Sequence, residues 1–458
     1  MISPFRHEVR TIGRLAAPVV ATQLGQMMLW TVDLAMVGAV GVDALGALAL
    51  GRQWLFATII LAQGIVFGAD PIFTQAWGAR DEDLLGLTLQ RALVVAAAIS
   101  VPVGIAWGAT EEVLLAFGQD RELSAVAELY LLVQLPVIPM FLVFTALRQY
   151  LLARGILTPP MWVVLAGNVL NLFGNWVLIF GKLGLPAMGI VGAGIATTVT
   201  QAAMLVALAA WVVRGRLYRG AWTGWSRRAW QGTGLASIFR YGLPVGAQLS
   251  LEVWAFSAAT LFAGWLGTTA LAAHNIVLNL ASISFMVPLG VSLGTVTRVG
   301  NLIGEGRPAA AQRAAWAGFA LGAAVMATFA LVFMIGRGVL PRIYSADAAV
   351  LAACTALLPI AAAFQLFDGT QVVGGGILRA MGRTRPAAVF NLLGYYALAL
   401  PLGYVLAFRA GFGLPGLWWG LAAGLAVVAG LLLTWVARRG PAKVDARVRE
   451  LGGPPPQG

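Results

Sequence analysis

The sequence predicts an all-α polytopic membrane protein with twelve transmembrane helices in two six-helix lobes, related by a pseudo-two-fold axis along the membrane normal. Three observations support this fold class: the composition, the spacing of long apolar runs, and an internal repeat. Of the 458 residues, 60% are hydrophobic and only 10% are charged, and the mean hydropathy is +0.84. A soluble domain carries about 25% charged residues. An ordinary soluble enzyme, a coiled coil and a disordered protein are therefore excluded.

Long apolar runs lie between breaks of Gly, Pro and charge, and each is long enough for a membrane-spanning helix of about 20 residues. No run alternates like a β-strand, and lipid admits only helices or closed barrels. The first run exceeds the apolar core of a signal peptide and contains polar residues, so we expect it to remain as the first span. The predicted spans are 14–40, 46–76, 86–108, 123–151, 159–181, 188–213, 236–264, 270–300, 311–336, 349–378, 386–408 and 414–437.

The basic residues are divided unequally between the two sides that these spans define. Both termini and the even-numbered connections, with the span ends next to them, carry 24 of the 30 Lys and Arg residues. Arg52 lies within the second span. Basic residues accumulate in cytoplasmic loops, so both termini are expected in the cytoplasm, and the net charge of +12 does not predict a nucleic-acid partner. The opposite side carries Arg121, Lys182, Arg337, Arg342 and Arg409.

The two halves of the chain repeat each other at an offset of about 226 residues. Six spans separate the copies, so both point the same way through the membrane. Such repeats are typical of alternating-access transporters, although a duplication without transport leaves the same pattern. We expect an N-lobe at 1–220, a C-lobe at 221–440 and a disordered cytoplasmic tail at 441–458. The offset superimposes Pro18 on Pro244, Gly38 on Gly264, Gly41 on Gly267, Gly64 on Gly290, Gly68 on Gly294 and Gly78 on Gly304.

Polar residues within the spans are the candidates for function, because a charge at mid-bilayer costs about 2.5–3.5 kcal/mol. A buried carboxylate has to be balanced by a proton or a cation, so Asp33, Glu252 and Asp368 are predicted to bind the coupling ion. They belong to stripes at helical spacing that should face a central cavity. The stripes are Gln23, Gln26, Trp30 and Asp33; Asn168, Asn171 and Asn175; Gln248, Glu252 and Phe256; and Gln365, Asp368 and Gln371.

Some of these charged residues have a structural interpretation as well. Asp33 and Arg52 could form a static ion pair, since buried charges are usually paired. Asp70 lies near the cytoplasmic end of its span and is equally compatible with a structural role. Glu128 and His274 lie near span ends, where they are expected to reach the interface.

The sequence lacks the motifs of nucleotide-driven transport and of catalysis. There is no GxxxxGK followed by Ser or Thr, and the longest polar connection is too short for a nucleotide-binding domain. One cysteine and two histidines provide no thiolate or imidazole metal cluster, and an intramembrane transferase would need a catalytic His or carboxylates beside a metal. We therefore expect no enzymatic activity and no cofactor, with energy supplied by an ion gradient.

Seven segments, in order along the chain, resemble the multidrug and toxic compound extrusion (MATE) family, and within it the NorM-like branch. The resemblance runs from Pro18 to about Trp435. The segments are TVDLAMVG around Asp33, TQAWGARD after the second span, LNLFGNWVLIFGKLGLPAMGIVGAGIAT across spans five and six, LEVWAF around Glu252, LAAHN and RVGNLIGEG at the two ends of span eight, and FQLFDGTQVVGGGILRAMGRT around Asp368.

The resemblance implies two six-helix lobes around a V-shaped cavity. It also implies efflux of bulky, often cationic compounds in exchange for Na⁺ or H⁺. Asp33 matches the family's first-helix aspartate, and Glu252 and Asp368 match the C-lobe carboxylates of the NorM-like branch. Asn171 and Asn175 match the polar pair beside the first helix. The second of these is usually acidic in DinF-like relatives, which favours the NorM-like branch here.

The function predicted is that of a secondary multidrug antiporter in the inner membrane of a prokaryote. We expect a monomer whose partners are lipophilic or cationic drugs and membrane lipid. Na⁺, if it is the coupling ion, would bind at Glu252 and Asp368, although oxygen ligands serve Na⁺ and H⁺ alike. The alternative is a lipid-linked oligosaccharide flippase, which would need a strongly basic cavity to bind pyrophosphate. The sequence favours this alternative less, because Arg52 is the one basic residue expected in a span interior. The residues expected to line the cavity are Gln26, Trp30, Asn171, Asn175, Gln248, Phe256 and Gln371.

Overall fold

A computed structural model of the chain describes residues 3–222 and 224–444. Most of the tail predicted to be disordered, 441–458, lies outside the described residues, but its first residues Pro441–Lys443 form a 3₁₀ helix and are therefore ordered. Within these ranges the regular structure is helical and contains no strand. The α-helices are α1 (Pro4–Gly38), α2 (Val42–Val66), α3 (Asp70–Gly78), α4 (Glu82–Gly108), α5 (Thr110–Ala116), α6 (Arg121–Val133), α7 (Val137–Ala153), α8 (Thr158–Phe180), α9 (Gly189–Arg214), α10 (Gly232–Trp265), α11 (Thr268–Gly304), α12 (Pro308–Gly336), α13 (Ala348–Ala380), α14 (Thr384–Asn391), α15 (Leu400–Tyr404) and α16 (Gly413–Arg439).

The helices confirm the predicted spans. In the described part of the chain, 11 helices are long and apolar enough to cross a membrane, and a bent pair makes the number 12. The second span combines α2 and α3 through one 3₁₀ turn at Phe67–Ala69. The eleventh combines α14 and α15 with π-helical segments at Leu392–Ala399 and Val405–Arg409. Chain length and hydropathy therefore decide the number of spans, but not the regularity of each helix.

The fourth predicted span, 123–151, is not one continuous helix. It consists of α6 and α7, which are bent by 51° at a short break. The break contains Pro136, which has no backbone N–H to continue the helical hydrogen bonding. Tight turns replace it: the Val137 amide donates to the Gln134 carbonyl at 2.8 Å. The predicted limits 123–151 contain no break, because the apolar run continues through Pro136.

The described helices divide into two compact units whose limits fall inside α1 and α10. Of the described residues, the first-half unit comprises 21–246, and the second-half unit comprises 3–20 together with 247–444. The two division points are 226 residues apart, which is the offset of the sequence repeat. The lobes predicted at 1–220 and 221–440 divide instead in the connection between α9 and α10, and those boundaries stay a prediction.

The repeat is visible as a pair of equivalent helix contacts, one inside each unit. In the first-half unit a side chain at Gly64 would overlap the backbone of Gly246. In the second-half unit a side chain at Gly290 would overlap Val20. Each residue of the second contact is related by the 226-residue offset to one residue of the first. Glycine thus allows α2 to approach α10, and α11 to approach α1, at equivalent places.

A second pair of contacts lies one turn farther along the same helices. Gly68 packs against the backbone of Gly242, and Gly294 packs against Ala16, whose amide nitrogen would lie 3.2 Å from an added Cβ. These positions again follow the offset. Four of the glycines that revealed the repeat in the sequence therefore lie at its helix crossings.

Candidate functional site

Asp33 lies in a buried polar cluster within the first-half unit. Its side chain is 1% exposed, and both carboxylate oxygens accept hydrogen bonds. Asn175 Nδ2 donates to Oδ1 at 2.6 Å, and the Thr197 hydroxyl donates to Oδ2 at 2.9 Å. Asn175 Nδ2 also donates to Asn171 Oδ1 at 3.1 Å. We call Asp33, Asn171, Asn175 and Thr197 the first-half cluster; uncharged donors stabilise its carboxylate.

Helix packing brings these side chains together. At Gly25 the chain has no Cβ to hold α8 away, and Asn168 Nδ2 donates to the Gly25 carbonyl at 2.9 Å. About two turns farther along both helices, Asp33 of α1 meets Asn175 of α8. On the other side of α8, Gly174 packs closely on Ala196 of α9, which places the neighbouring Thr197 at the carboxylate. Thr197 was not predicted, although Thr200 and Gln201 follow it at helical spacing and form a polar stripe that could have indicated it.

The ion pair of Arg52 with Asp33 that the sequence suggested is not formed. Arg52 lies near enough to influence the charge of Asp33, but its guanidinium Nη1 donates to the Trp30 carbonyl at 2.9 Å. The same guanidinium carbon lies 5.5 Å from the ring centroid of Trp30 and 5.9 Å from that of Phe56. Aromatic faces and a carbonyl take the place of the carboxylate in balancing this cation. Asp33 therefore remains available to another positive partner.

Arg148 is a second basic residue beside α1, and it is one of the 24 basic residues counted above with the cytoplasmic connections and the span ends next to them. It lies within α7 and is 5% exposed. Its Nη1 donates to Gln23 Oε1 at 2.9 Å and to Gln26 Oε1 at 3.1 Å. Arg52 is therefore not the only basic side chain inside the helical bundle. Gln26, predicted as a cavity residue, has its carbonyl oxygen engaged by Arg148.

The other two predicted carboxylates come together in the second-half unit. Gln371 Nε2 donates to Glu252 Oε2 at 3.0 Å, and Gln371 is 1% exposed. Asp368 lies one turn earlier on α13, is 4% exposed, and is close enough to Glu252 to be influenced by its charge. Two carboxylates that repel each other in a desolvated site favour an intervening proton or cation.

Gln248 completes this second-half cluster of Gln248, Glu252, Asp368 and Gln371. Gln248 lies one turn before Glu252 on α10 and is buried. Asn391, at the end of α14, donates to the Gln248 carbonyl at 3.5 Å and also faces Glu252. Asn391 escaped the sequence analysis because it is a single polar residue in an apolar stretch.

Phe256 lies beside this cluster in an aromatic row. Its ring centroid is 5.9 Å from that of Phe364 and 5.9 Å from that of Tyr395. Phe364 in turn contacts Trp418 at 5.7 Å. The predicted stripe of Gln248, Glu252 and Phe256 thus lies on one helix face, with amide groups at one end and aromatic rings at the other.

His274 was expected to reach the membrane interface, but it lies inside the helical bundle. It is fully buried, because α10, α11 and α16 meet around it. Trp418 Nε1, which can only donate, lies 3.2 Å from His274 Nδ1, so Nδ1 is the acceptor. His274 Nε2 lies 3.1 Å from the Thr260 hydroxyl. His274 is therefore fixed as a structural residue.

The two remaining charged candidates also contact other residues. Asp70 is buried, and its Oδ1 accepts a hydrogen bond from Gln149 Nε2 at 2.7 Å. Glu128 Oε2 accepts a hydrogen bond from the backbone amide of Glu111 at 2.7 Å, and Glu111 lies in the first turn of α5. Because α5 lies in the connection between the third and fourth spans, this contact is compatible with the interfacial position expected for Glu128, which stays a prediction. A carboxylate at a helix N-terminus is stabilised by the helix dipole.

A model of the MatE family matches residues 18–177 and 244–405, which are the same portion of each half of the chain. The chain belongs to the MatE family. Two similar relatives are a protein of Mesorhizobium japonicum named probable multidrug resistance protein NorM and a protein of Burkholderia vietnamiensis named multidrug resistance protein NorM. The first is 37% identical, with 95% of each chain covered; the second is 36% identical, with 94% of this chain and 93% of the relative covered.

Solved structures show the same fold at lower sequence identity. A eukaryotic MATE transporter matches with a TM-score of 0.90 at 23% identity, and 98% of this chain and 99% of that one are covered. A mutant of the Vibrio cholerae MATE transporter VcmN matches with a TM-score of 0.85 at 18% identity, and 96% of this chain and 100% of that one are covered. This MatE chain is thus a multi-span membrane protein, and its similar relatives carry the names of transporters.

Proposed function

We propose that this MatE protein is a secondary active multidrug antiporter that exports lipophilic, often cationic compounds from the cytoplasm in exchange for Na⁺ or H⁺. The multidrug-resistance names of its relatives support the substrate class. The transporter names of the relatives also argue against an enzyme, and the proposal requires no cofactor besides the coupling ion. Small cationic or lipophilic drugs and membrane lipid are the partners, and the unit of transport is a monomer.

One observation carries the proposal: three carboxylates inside the membrane-spanning helices have no basic partner. Within the described residues, no ion pair involves Asp33, Glu252 or Asp368. Two of the three accept hydrogen bonds from neutral amide or hydroxyl groups, which stabilise a carboxylate without neutralising its charge. A desolvated carboxylate is stable only with a proton or a cation nearby. Such groups can bind a coupling ion and a cationic drug alternately.

The alternation supplies the coupling. When the coupling ion occupies a carboxylate, the attraction of that carboxylate for a cationic drug is lost, so each ligand lowers the affinity of the other. We assign Na⁺, if it is the ion used, to Glu252 and Asp368, since the second-half cluster offers two carboxylates within mutual electrostatic reach. The first-half cluster offers one carboxylate and suits a proton or the charged end of a drug.

The proposed topology places both termini in the cytoplasm, because the basic residues concentrate on that side. In this proposal each polar stripe lines a cavity that opens alternately to the two sides of the membrane. The residues that we assign to the cavity wall are Gln26, Trp30, Asn171, Asn175, Gln248, Phe256 and Gln371.

Exchange in proteoliposomes tests the proposal. The purified protein is reconstituted, Na⁺ and pH gradients are imposed separately, and efflux of a fluorescent lipophilic cation is followed. We expect Asp33→Asn, Glu252→Gln and Asp368→Asn to reduce gradient-driven exchange at least tenfold. Exposed Asp43, at the start of α2, provides the matched control Asp43→Asn, which should exchange normally. Normal exchange by all three neutralised variants would contradict the proposal.

A further inference from the structure

The connection between α9 and α10 is a folded element of the first-half unit. Gln90 of α4 is buried and holds the connection at two points: its Nε2 donates to the Gly224 carbonyl at 2.7 Å, and its Oε1 accepts from the Ser226 amide at 2.8 Å. Gly86, one turn earlier, has no side chain, and the backbone of Ala221 lies directly against it. These contacts fix which side of the connection faces outward.

The outward side is basic. From Arg214 to Arg240 the chain has six arginines and no acidic residue. Arg228 forms an ion pair with Asp83 at 2.9 Å. The other arginines are exposed and form no ion pair within the described residues; they are Arg214, Arg216, Arg219, Arg227 and Arg240.

Three tryptophans lie among these arginines. Trp222 contacts Trp225 at 5.8 Å between ring centroids, and Trp225 contacts Trp230 at 6.3 Å. Trp225 is 51% exposed and Trp230 is 63% exposed. Indole rings favour the boundary between hydrocarbon and water, where one edge is apolar and the N–H reaches a polar partner. An exposed tryptophan row within a basic surface combines the two features of an interfacial anchor.

We propose that this surface, formed by Arg216, Arg219, Trp225, Arg227 and Trp230, binds the headgroups of anionic phospholipids in the cytoplasmic leaflet. The guanidinium groups bind the phosphate oxygens, and the indole rings lie at headgroup depth. The assignment to the cytoplasmic leaflet rests on the proposed topology.

The position of the surface favours lipid as the occupant. Arg214 is the last residue of the membrane-spanning α9, and α10 begins at Gly232, so the connection joins two span ends and lies at the membrane surface. The anionic leaflet attracts basic residues at this depth. The charge of the surface is therefore complementary to the phase that it must face.

Native mass spectrometry of the full chain with added phosphatidylglycerol or phosphatidylcholine tests the proposal. The variant Arg216→Gln/Arg219→Gln/Arg227→Gln should bind phosphatidylglycerol at least about fivefold more weakly. This lower bound is the contribution of one basic residue near an anionic surface, although the variant removes three. Its affinity for phosphatidylcholine should not change. The matched control Arg121→Gln/Arg337→Gln/Arg342→Gln removes three exposed arginines from the opposite side and should retain the wild-type preference.

Two outcomes would overturn the proposal: an unchanged phosphatidylglycerol preference in the first variant, or an equal loss in the control. Trp230→Ala supplies a second measurement, since it should weaken binding of both lipids without changing the preference between them. Lipid binding is measured without a gradient or a drug, so failure of the antiport proposal would leave this result intact. Labelling of the connection from the outside of intact cells would overturn the leaflet assignment.

Discussion

The ion pair between Glu8 and Arg298 offers a quantitative test of how the first turns of α1 are held within the second-half unit. Arg298 Nε and Nη2 donate to the two oxygens of Glu8 at 2.7 and 2.9 Å. The side chains are 18% and 6% exposed, respectively, so both charges are largely desolvated. Removing one member of a buried pair costs about 3–5 kcal/mol, because the other charge is left without compensation. Since Arg298 retains some contact with water, we expect the lower part of that range.

The perturbation is Glu8→Met, alone and combined with Arg298→Met. The single change should lower the free energy of unfolding by about 3 kcal/mol, which corresponds to about 6 °C in the apparent Tm at about 2 °C per kcal/mol. The double variant replaces the pair by two apolar side chains and should recover most of this loss. Thermal unfolding in detergent at a fixed scan rate measures both effects.

The exposed pair of Arg307 with Glu305 provides the control. Its side chains are 57% and 35% exposed, and its distance of 2.9 Å is similar to that of the buried pair. Exposed pairs contribute about 0–1 kcal/mol, so Arg307→Met should change the apparent Tm by less than 2 °C. The reasoning would be refuted if the Glu8→Met/Arg298→Met variant were as unstable as the Glu8→Met variant or less stable.

Three further predictions concern a helix contact, a hydrogen bond to Asp33 and the membrane topology. Gly68→Ala should destabilise the protein by about 1–3 kcal/mol, because the new methyl group meets the α10 backbone. The control Gly430→Ala should change stability by less than about 1 kcal/mol, because no atom lies within 4 Å of its Cβ position. Thr197→Val removes a charge-assisted hydrogen bond worth about 1.5–3 kcal/mol and should lower kcat/KM for exchange about tenfold; Thr198→Val, whose hydroxyl bonds only backbone carbonyls, should not. Gln231→Cys should react with an impermeant thiol reagent only from the cytoplasmic side, above a low background since the native cysteine is buried.

Local chain properties explain which predictions succeeded. A membrane span is recognised from about 20 consecutive residues, so the number and approximate positions of the spans could be derived without knowing how the helices pack. The repeat was equally accessible, because the glycines that permit close helix crossings, such as Gly64 and Gly290, occupy equivalent places in both halves. The three acidic residues stood out because charges are rare in apolar runs.

The errors concerned partners and helix continuity. Arg148 was counted with the cytoplasmic connections and span ends, although it is buried and donates to Gln26, which is 122 residues away in the sequence. The ion pair of Arg52 with Asp33, which the sequence left open as an alternative, is replaced by contacts of Arg52 with aromatic rings and the Trp30 carbonyl. The apolar pattern of the fourth span gave no sign of its 51° bend.

The sequence by itself determined that this protein is a twelve-span, internally repeated bundle with carboxylates at Asp33, Glu252 and Asp368, because hydropathy and periodicity are properties of neighbouring residues. Only the tertiary structure decided what those groups contact: Thr197 meets Asp33 from 164 residues away, and Glu8 meets Arg298 across 290 residues. The physical reason is range. Burial in lipid is set residue by residue along the chain, whereas a hydrogen-bond partner is set by which helices pack together and by the glycines that let them approach.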